Sequence, residues 1–325
     1  MCAVTQLKME IGTDIDKAAK LALDGMLVSI PTETVYGLAA DITNENALKA
    51  LYAAKGRPAD HPVIVHIGDK TQLFELAENI DEDTHKLIDA FWPGPLTLVC
   101  KKKTSVSDMV TGGQDTVAIR MPQHPLALAF LKAVNRGIAA PSANKFGKVS
   151  PTKAEHVAAD LSKEVAYILD GGTCDVGVES TILDMSSSTK QILRPGKITA
   201  SMLEEVLGYK VELKEKSQVR VPGSLSSHYA PTKPISILSS NNLENGIAKI
   251  VSGKRGVSVL SFTKPDAGEC HWLEASSDPA LYTKDFYSNL RKLDNFDCDT
   301  IVIEALPEGQ EWSAVKDRLK RAAQS

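Results

Sequence analysis

Within KGRPADHPVIVH, Lys55–His66, the chain must stop being a helix and become a strand. Asn44 stands at an N-cap position, and Ala47, Leu48, Leu51 and Tyr52 recur at helical spacing after it. The run Gly56-Arg57-Pro58 cannot continue that helix, so the spacing predicts its end at Gly56. Val63-Ile64-Val65 follows, a β-branched strand signal closed by His66. Lys55 then lies in the last helical turn and Arg57 just beyond it. Fixed positive charge at a strand edge is a good holder of phosphate oxygens. A solvated helix C-terminus favours the same cations through its dipole. The rest of the chain has to decide between the two readings.

A first helix is expected from Asp14 to Gly25, then a buried strand, Met26–Ile30, leading into the hydroxyl-rich segment PTETVYGLAAD, residues 31–41. Further strands are expected at Pro62–Ile67, Leu96–Cys100, Asp115–Arg120, Ile138–Ala140, Val165–Leu169, Ser180–Asp184 and Gln191–Arg194. Thr152 and Glu155 have capping-box spacing for a helix to Leu161, and Thr199 caps another that stops at Gly208. Residues 209–219 are charged and aperiodic, and RVPGSLSSHYAP, residues 220–231, reads as a linker. Beyond it, strands 235–238, 256–260 and 300–304 alternate with helices 242–252, 279–292 and 311–323. That alternation predicts a small parallel α/β sheet. The expected division is a catalytic domain over 1–208, a linker or lid over 209–231, and a small Rossmann-like α/β domain over 232–325.

Polar residues collect at the ends of these strands. Thr32, Thr34 and Tyr36 either cap a turn or line a pocket. His66 ends an apolar strand, where a side chain faces core or ligand crevice. Arg120 ends VAIR and needs an anion, either a bound carboxylate or phosphate or a structural Asp or Glu. Ser142 and Asn144 follow a small-residue strand in PSAN, which lets a ligand approach the backbone. Gly171-Gly172 and GVESTI, residues 177–182, offer tight backbone paths near a ligand, or an ordinary hairpin. Arg194 precedes Pro195-Gly196, a type II turn signal that does not explain the arginine. The run Lys101–Lys103 reads as a solvated strand end rather than an RNA contact.

What the chain lacks narrows the chemistry. It has no GxxxxGK[ST], no GxGxxG after a strand, no HExxH, no CxxC and no GxSxG. Covalent catalysis, a P-loop NTPase and a zinc site therefore find no support. Cations and hydroxyls at several strand ends suit catalysis by positioning and charge neutralisation, the usual mode for attack at phosphorus. With 37 Lys+Arg against 41 Asp+Glu, net charge -4, the overall field does not hold nucleic acid, although a local basic groove stays open. The five cysteines are scattered and odd in number, which fits reduced thiols in a cytoplasmic protein. Neither a signal peptide nor an apolar run of membrane-spanning length is seen, so no membrane partner is expected.

PTETVYGL, KGRPADHPVIVHI, FWPGPLT, DTVAIRMP, AAPSAN, ILDGG with GVESTI, and LRPG occur in this order, and together they resemble the YrdC-type threonylcarbamoyl-AMP synthase family in its two-domain form. The resemblance is dense over about residues 13–208, and SHYAP in the linker adds to it. It implies a twisted mixed α/β sheet enclosing a concave basic cavity, and a nucleotidyltransferase that joins L-threonine, bicarbonate and ATP with release of pyrophosphate. The product would pass to the downstream threonylcarbamoyl transferase machinery, which modifies tRNAs reading codons that start with A. Direct contact of this chain with tRNA would be weak. Mg²⁺ would enter with ATP, without protein ligands and without an organic cofactor. The family's KxR…SxN tetrad matches Lys55, Arg57, Ser142 and Asn144, with Lys55 and Arg57 in the catalytic role. By the same resemblance, Thr34, His66, Arg120, Ala140 and Ser180 would surround threonine, Arg120 clamping its carboxylate. Arg57, His61, Thr116, Ser142, Asn144, Ser150 and Arg194 would hold ATP. Many relatives carry Asn at the position of His61, and a tyrosine at the linker position of Ser226, so that tyrosine's contact does not carry over. His228 and Tyr229 stand as lid candidates. Two rivals predict different behaviour. An RNA-binding module would bind RNA with steep salt dependence and turn over no ATP. A carbamoyl-transfer domain of the hydrogenase-maturation type would carry zinc fingers.

Overall fold

The computed structural model describes residues 9–214, 219–223, 228–251, 256–266 and 270–324. The chain divides into two compact units. The first holds residues 1–146, 151–175 and 179–224, and the second holds 147–150, 176–178 and 225–325.

The first unit is built on one mixed sheet. Its strands are β1 (Glu10–Gly12), β2 (Val28–Ile30), β3 (Gly37–Asp41), β4 (Ile64–His66), β5 (Ala77–Glu78), β6 (Leu96–Lys102), β7 (Thr116–Arg120), β8 (Ile138–Ala139), β9 (Tyr167–Leu169), β10 (Thr181–Asp184), β11 (Gln191–Arg194) and β12 (Glu212–Leu213). They lie in the order β1-β9-β2-β3-β8-β4-β7-β6-β10-β11-β12, with β5 paired to β6. Parallel and antiparallel pairs mix: β4 runs parallel to β7, β7 antiparallel to β6, and β6 parallel to β10.

Register decides which residues share a face. Ala139 pairs with Val65, and Ile138 with His66. Ala139 and Val65 belong to the large core, with Val117, Ile119, Leu96 and Leu98, so Ile138 and His66 face the other way. The helices Glu45–Lys55, Glu82–Phe91 and Ala200–Leu207 cover the core face, where Leu48, Leu51, Leu87, Ile88, Leu203 and Leu207 are buried. Each such fully buried aliphatic side chain contributes about 1.5–3 kcal/mol. The opposite face is covered over only half its width. Helices Ile15–Leu23 and Pro125–Val134 pack Ala18, Ala22, Phe130 and Leu131 against Val28, Ile30, Ala39 and Ile138. Over β4, β7, β6, β10 and β11 the apolar cluster on that face is small among the described residues: Ile64, Val99, Ala118, Ile182, Leu193 and Val221.

The second unit has a four-stranded, wholly parallel sheet of β13 (Ile235–Leu238), β14 (Val257–Ser261), β15 (His271–Glu274) and β16 (Thr300–Glu304), ordered β13-β16-β14-β15. Helices Leu243–Val251, Pro279–Asn295 and Ser313–Ala322 connect and cover it. The expected three strands and three helices are present; β15 is an additional strand.

Local expectations hold where the signal is local. Asn44 caps its helix by accepting from Asn46 and Ala47 N–H, and Gly56 closes it in the left-handed region at φ 63°. Two expectations fail. Thr152 does not cap the helix Ala154–Leu161; Lys153 occupies the cap position without a side-chain bond, and Thr152 is buried and donates its N–H to His156 Nδ1. Pro195-Gly196 is not a type II turn, since Gly196 lacks the positive φ that its third position needs. Gly196 is required instead because a Cβ there would lie 2.3 Å from the Thr181 nitrogen.

Gly177 shows the same logic more severely. It has φ +82°, and a Cβ would meet the carbonyl oxygen of Lys284 at 2.3 Å and its Cα at 2.5 Å, inside the helix Pro279–Asn295. Its close approach is to this helix backbone rather than to a ligand. Gly177→Ala should therefore lower unfolding stability by about 2 kcal/mol or more, left-handed strain adding to the clash. Urea denaturation measures it, and a loss of under about 0.5 kcal/mol would contradict the packing described.

Candidate functional site

The half-covered sheet face is where the polar residues sit. Along β7, Thr116, Ala118 and Arg120 point the same way, so this face extends roughly 13 Å from Thr116 to Arg120. Ile64 pairs with Ala118, and His66 with Arg120, in parallel register. Ile182 on β10 pairs with Thr97 on β6. The core lies behind, and among the described residues of the first unit the apolar cluster on the front contains no helix residue.

Arg120 is 3% exposed. Its Nη2 pairs with Glu33 Oε1 at 2.6 Å, its Nη1 donates to Thr34 Oγ1 at 2.8 Å, and its Nε donates to the Gly94 carbonyl at 3.2 Å. Glu33 Oε2 in turn accepts the N–H of Gln123 at 3.1 Å. The anion that the strand-end arginine requires is thus supplied from within the chain, by PTETVYG. A buried ion pair held by further hydrogen bonds orients both groups, and removal of one partner strands the other. Thr34 is positioned by Thr32, whose hydroxyl lies 2.8 Å away and donates to Val35 O at 2.6 Å. His66, also 3% exposed, has an Nδ1 without a partner among the described residues. Burial, reinforced by the Arg120 charge, pushes the imidazole down to about 3. It is a neutral ring across the physiological range.

A second group stands on β10 and β11. Ser180 Oγ lies 2.7 Å from Thr97 Oγ1. Arg194 donates through Nε and Nη2 to the Ser180 carbonyl at 3.1 and 3.0 Å, and through Nη1 to Pro222 O at 2.8 Å. Pro222 belongs to the segment 219–223, which crosses this face. Val221 is buried against Ile64, Val99, Ala118, Ile182 and Leu193. Gln114 clasps Arg220 from both sides, donating to its carbonyl at 3.0 Å and accepting its N–H at 2.7 Å. Arg220 Nη2 reaches Gly112 O at 2.7 Å.

The third group is the helix end. Lys55, 3% exposed, donates from Nζ to the carbonyls of Ser142 and Asn144, the latter at 2.7 Å. Burial, then Arg57, holds its ammonium well below the usual lysine range, against the pull of Asp160 and Glu179. The PSAN loop is anchored from its other side too: Ala140 N–H donates to Ile64 O, Ala143 N–H to Tyr36 O, and Gly37 bridges Ser142. Arg57 donates to Pro62 O at 2.6 Å, and its guanidinium lies 5.7 Å from the Phe146 ring centroid. His61 meets the same ring edge to face at 5.4 Å. Burial, then Arg57, keeps His61 below its usual range.

Of the residues expected at the site, Thr34, His66, Arg120, Thr116 and Ser180 share the half-covered face or its rim, and Arg194 borders it. Lys55, Arg57, His61, Ser142 and Asn144 gather around the helix end, and Ala140 links the two through β4. Ser150 falls in the segment 147–150 of the second unit and is buried. His228 and Tyr229 are buried in the second unit, where Arg318 lies 5.3 Å over the Tyr229 ring and Tyr287 lies 5.7 Å from it. Ser226 lies outside the described residues. Sequence reasoning missed Glu33, Phe146 and Val221. Glu33 sits inside PTETVYGL and Phe146 two residues past PSAN, but neither carries a local signal of its role; nor does Val221.

The sequence matches the Sua5/YciO/YrdC family, described as telomere recombination, over residues 20–196. Residues 198–324 match the family of the threonylcarbamoyl-AMP synthase C-terminal domain. A threonylcarbamoyl-AMP synthase of Bacillus subtilis is 42% identical over 95% of this chain and 92% of its own length. One from Pyrococcus abyssi is 39% identical over 94% of this chain and 93% of its own. Among solved structures, Pyrococcus abyssi Sua5 complexed with L-threonine superposes with TM-score 0.90 at 38% identity, covering 97% of each chain. From the mixed sheet to the parallel second unit, this chain belongs to the two-domain Sua5/YciO/YrdC family, that of the threonylcarbamoyl-AMP synthases.

Proposed function

We propose that this chain joins L-threonine, bicarbonate and ATP into threonylcarbamoyl-AMP, releasing pyrophosphate, as the adenylate supply for threonylcarbamoyladenosine in tRNAs that read codons starting with A. One observation carries this reading: four deeply buried cations, Lys55, Arg57, Arg120 and Arg194, flank a sheet face covered by the segment 219–223 rather than by a helix of its own unit, beside neutral hydroxyls and a neutral imidazole. That set suits a small zwitterion next to a polyphosphate.

Threonine sits at the Arg120 end. Its carboxylate meets the Arg120 guanidinium, already oriented by Glu33, while Thr34, Ser180 and the His66 Nδ1 serve its remaining polar atoms, and Ala140 borders it. That a relative is crystallised with L-threonine supports threonine as a ligand of this fold. ATP lies toward Lys55, with Arg57, His61, Thr116, Ser142, Asn144 and Arg194 as its partners. Lys55 has three donors and uses two on the PSAN carbonyls, which leaves one for a phosphate oxygen. Magnesium belongs to the substrate, as MgATP. Among the described residues no group of three or more His, Cys, Asp or Glu is arranged to hold a metal ion.

The chemistry balances without a covalent enzyme intermediate. The threonine amine bonds to the bicarbonate carbon and water leaves, giving a carbamate. A carbamate oxygen attacks the α-phosphorus, and the bond to pyrophosphate breaks. Lys55 and Arg57 stabilise the charge that builds on the phosphates. Segment 219–223 closes the face and keeps water from the carbamate. The adenylate is then handed to a threonylcarbamoyl transferase. Among the described residues, no helix is long and apolar enough to cross a membrane, and the proposed workplace is the cytoplasm.

The decisive assay is pyrophosphate release from ATP that requires both threonine and bicarbonate. Lys55→Ala and Arg57→Ala should each lower it about 100-fold or more, while unfolding stability drops by no more than about 1–3 kcal/mol. Near-normal release by either variant would remove that residue from the catalytic role. Val221→Ser, which loosens the strap, should raise the ATP KM about fivefold; an unchanged KM would count against a closing role for 219–223. Because folded His66 refuses a proton that the unfolded chain accepts near 6.5, stability should fall as pH drops from about 6.5 toward 3, by up to about 1.4 kcal/mol per pH unit. His66→Gln should lose that part of the slope in denaturation curves, and parallel curves for the two proteins would refute it.

A further inference from the structure

At the Arg120 end, two hydroxyls and a guanidinium form a chain whose protons each have one place to go. Thr32 Oγ1 donates to the Val35 carbonyl at 2.6 Å, and a carbonyl can only accept. A hydroxyl has one proton, so the 2.8 Å bond between Thr32 and Thr34 is donated by Thr34. Thr34 Oγ1 accepts in turn from Arg120 Nη1 at 2.8 Å. Its proton and one lone pair are thereby committed, and one lone pair is left. Toward a ligand, Thr34 accepts and does not donate.

Ser180 is wired the other way. Its Oγ lies 2.7 Å from Thr97 Oγ1 and accepts from Arg194 Nη2 at 3.2 Å. Thr97 is 0% exposed, and Ser180 is the one partner of its hydroxyl among the described residues. If Ser180 donated that bond, the Thr97 proton would be buried without an acceptor, a costly state. Thr97 is therefore the donor. Both lone pairs of Ser180 Oγ are then filled. Its own proton has no acceptor among the described residues, although Ser180 is only 1% exposed. An oxygen of a bound molecule would satisfy it.

The proposed function uses Thr34 and Ser180 as threonine contacts and gives no part to Thr32 or Thr97, which stand behind them. We propose that Thr32 and Thr97 are positioning residues that fix those two contacts with opposite polarity, Thr34 as an acceptor for the threonine amine and Ser180 as a donor to an oxygen of the substrate. The inference rests on that reading of the site.

The polarity at Thr34 bears on the chemistry. An acceptor takes an N–H of the amine and leaves the nitrogen lone pair free. That pair forms the bond to the bicarbonate carbon, and the released amine proton leaves with the bicarbonate hydroxyl as water. A donor in the same place would cap the lone pair. The threonine carboxylate is kept off Thr34 for the same reason, since two acceptors cannot bond, and it stays on the Arg120 guanidinium.

Calorimetric titration of the full chain with L-threonine reads binding apart from turnover. Thr32→Val removes the hydroxyl at nearly constant volume, and its threonine affinity should fall about tenfold or more. Thr32→Ser restores the hydroxyl and should stay within about threefold of wild type, and Thr97→Val should lose about fivefold. In Thr32→Val, kcat for pyrophosphate release should fall too, with the ATP KM within about twofold of wild type, a split that general loosening of the fold would not give. A wild type that neither binds threonine nor releases pyrophosphate overturns the functional reading and this inference together. With an active wild type, unchanged threonine affinity in Thr32→Val, or equal losses in Thr32→Val and Thr32→Ser, overturns the inference alone. If Thr32→Val shows no urea unfolding transition, Thr97→Val decides, and wild-type threonine affinity there overturns it.

Discussion

A buried ammonium holds the proposed nucleotide end together. Lys55 is carried to its place by a helix that Asn44 starts and Gly56 stops, and it spends two of its donors on the carbonyls of Ser142 and Asn144. The PSAN loop could not keep both carbonyls turned inward without a donor of that reach. Because burial disfavours the charge, the ammonium is poised to gain when a polyanion arrives. One residue thus joins loop architecture to phosphate chemistry, and Arg57, Phe146 and His61 stack outward from it.

The site exists because a sheet is covered unequally. Two helices pack on one half of a face, and among the described residues of the first unit none packs on the other, although the core behind is continuous. The open half is closed by backbone rather than by a helix: residues 219–223 lie across it, pinned by Gln114 and Arg194. A strap with one buried valine holds weakly compared with a helix, and that suits a surface that must admit and release ligands.

Much of this was legible in the sequence. Caps, helix stops, the order of strands and most polar strand ends follow from spacing and from residues with special backbone freedom. Arg120 was read as needing an anion; that Glu33 provides one could not be read, because the two lie far apart in sequence and meet only through the fold. Likewise Val221 looks like linker, and only the sheet beneath it makes it core. The strand His271–Glu274 went unseen because it is four residues long and carries a charged residue. Thr152 and Gly196 had the right local patterns for a cap and a turn; Thr152 instead bonds His156 within its own segment, and close packing against Thr181 sets Gly196.

The second unit is discontinuous: Gly147–Ser150 and Val176–Val178 belong with residues 225–325. Val149 O accepts from Arg291, Gly147 O from Ala230 N–H, and Gly177 nests against Lys284. Those early segments leave the ribosome well before the residues that hold them. They must wait, unsatisfied, for the last third of the chain. A prematurely terminated chain would present them unheld, a state that chaperones and proteases can recognise. The order of synthesis thereby makes completion of the carboxy-terminal helices a check on the integrity of the whole chain.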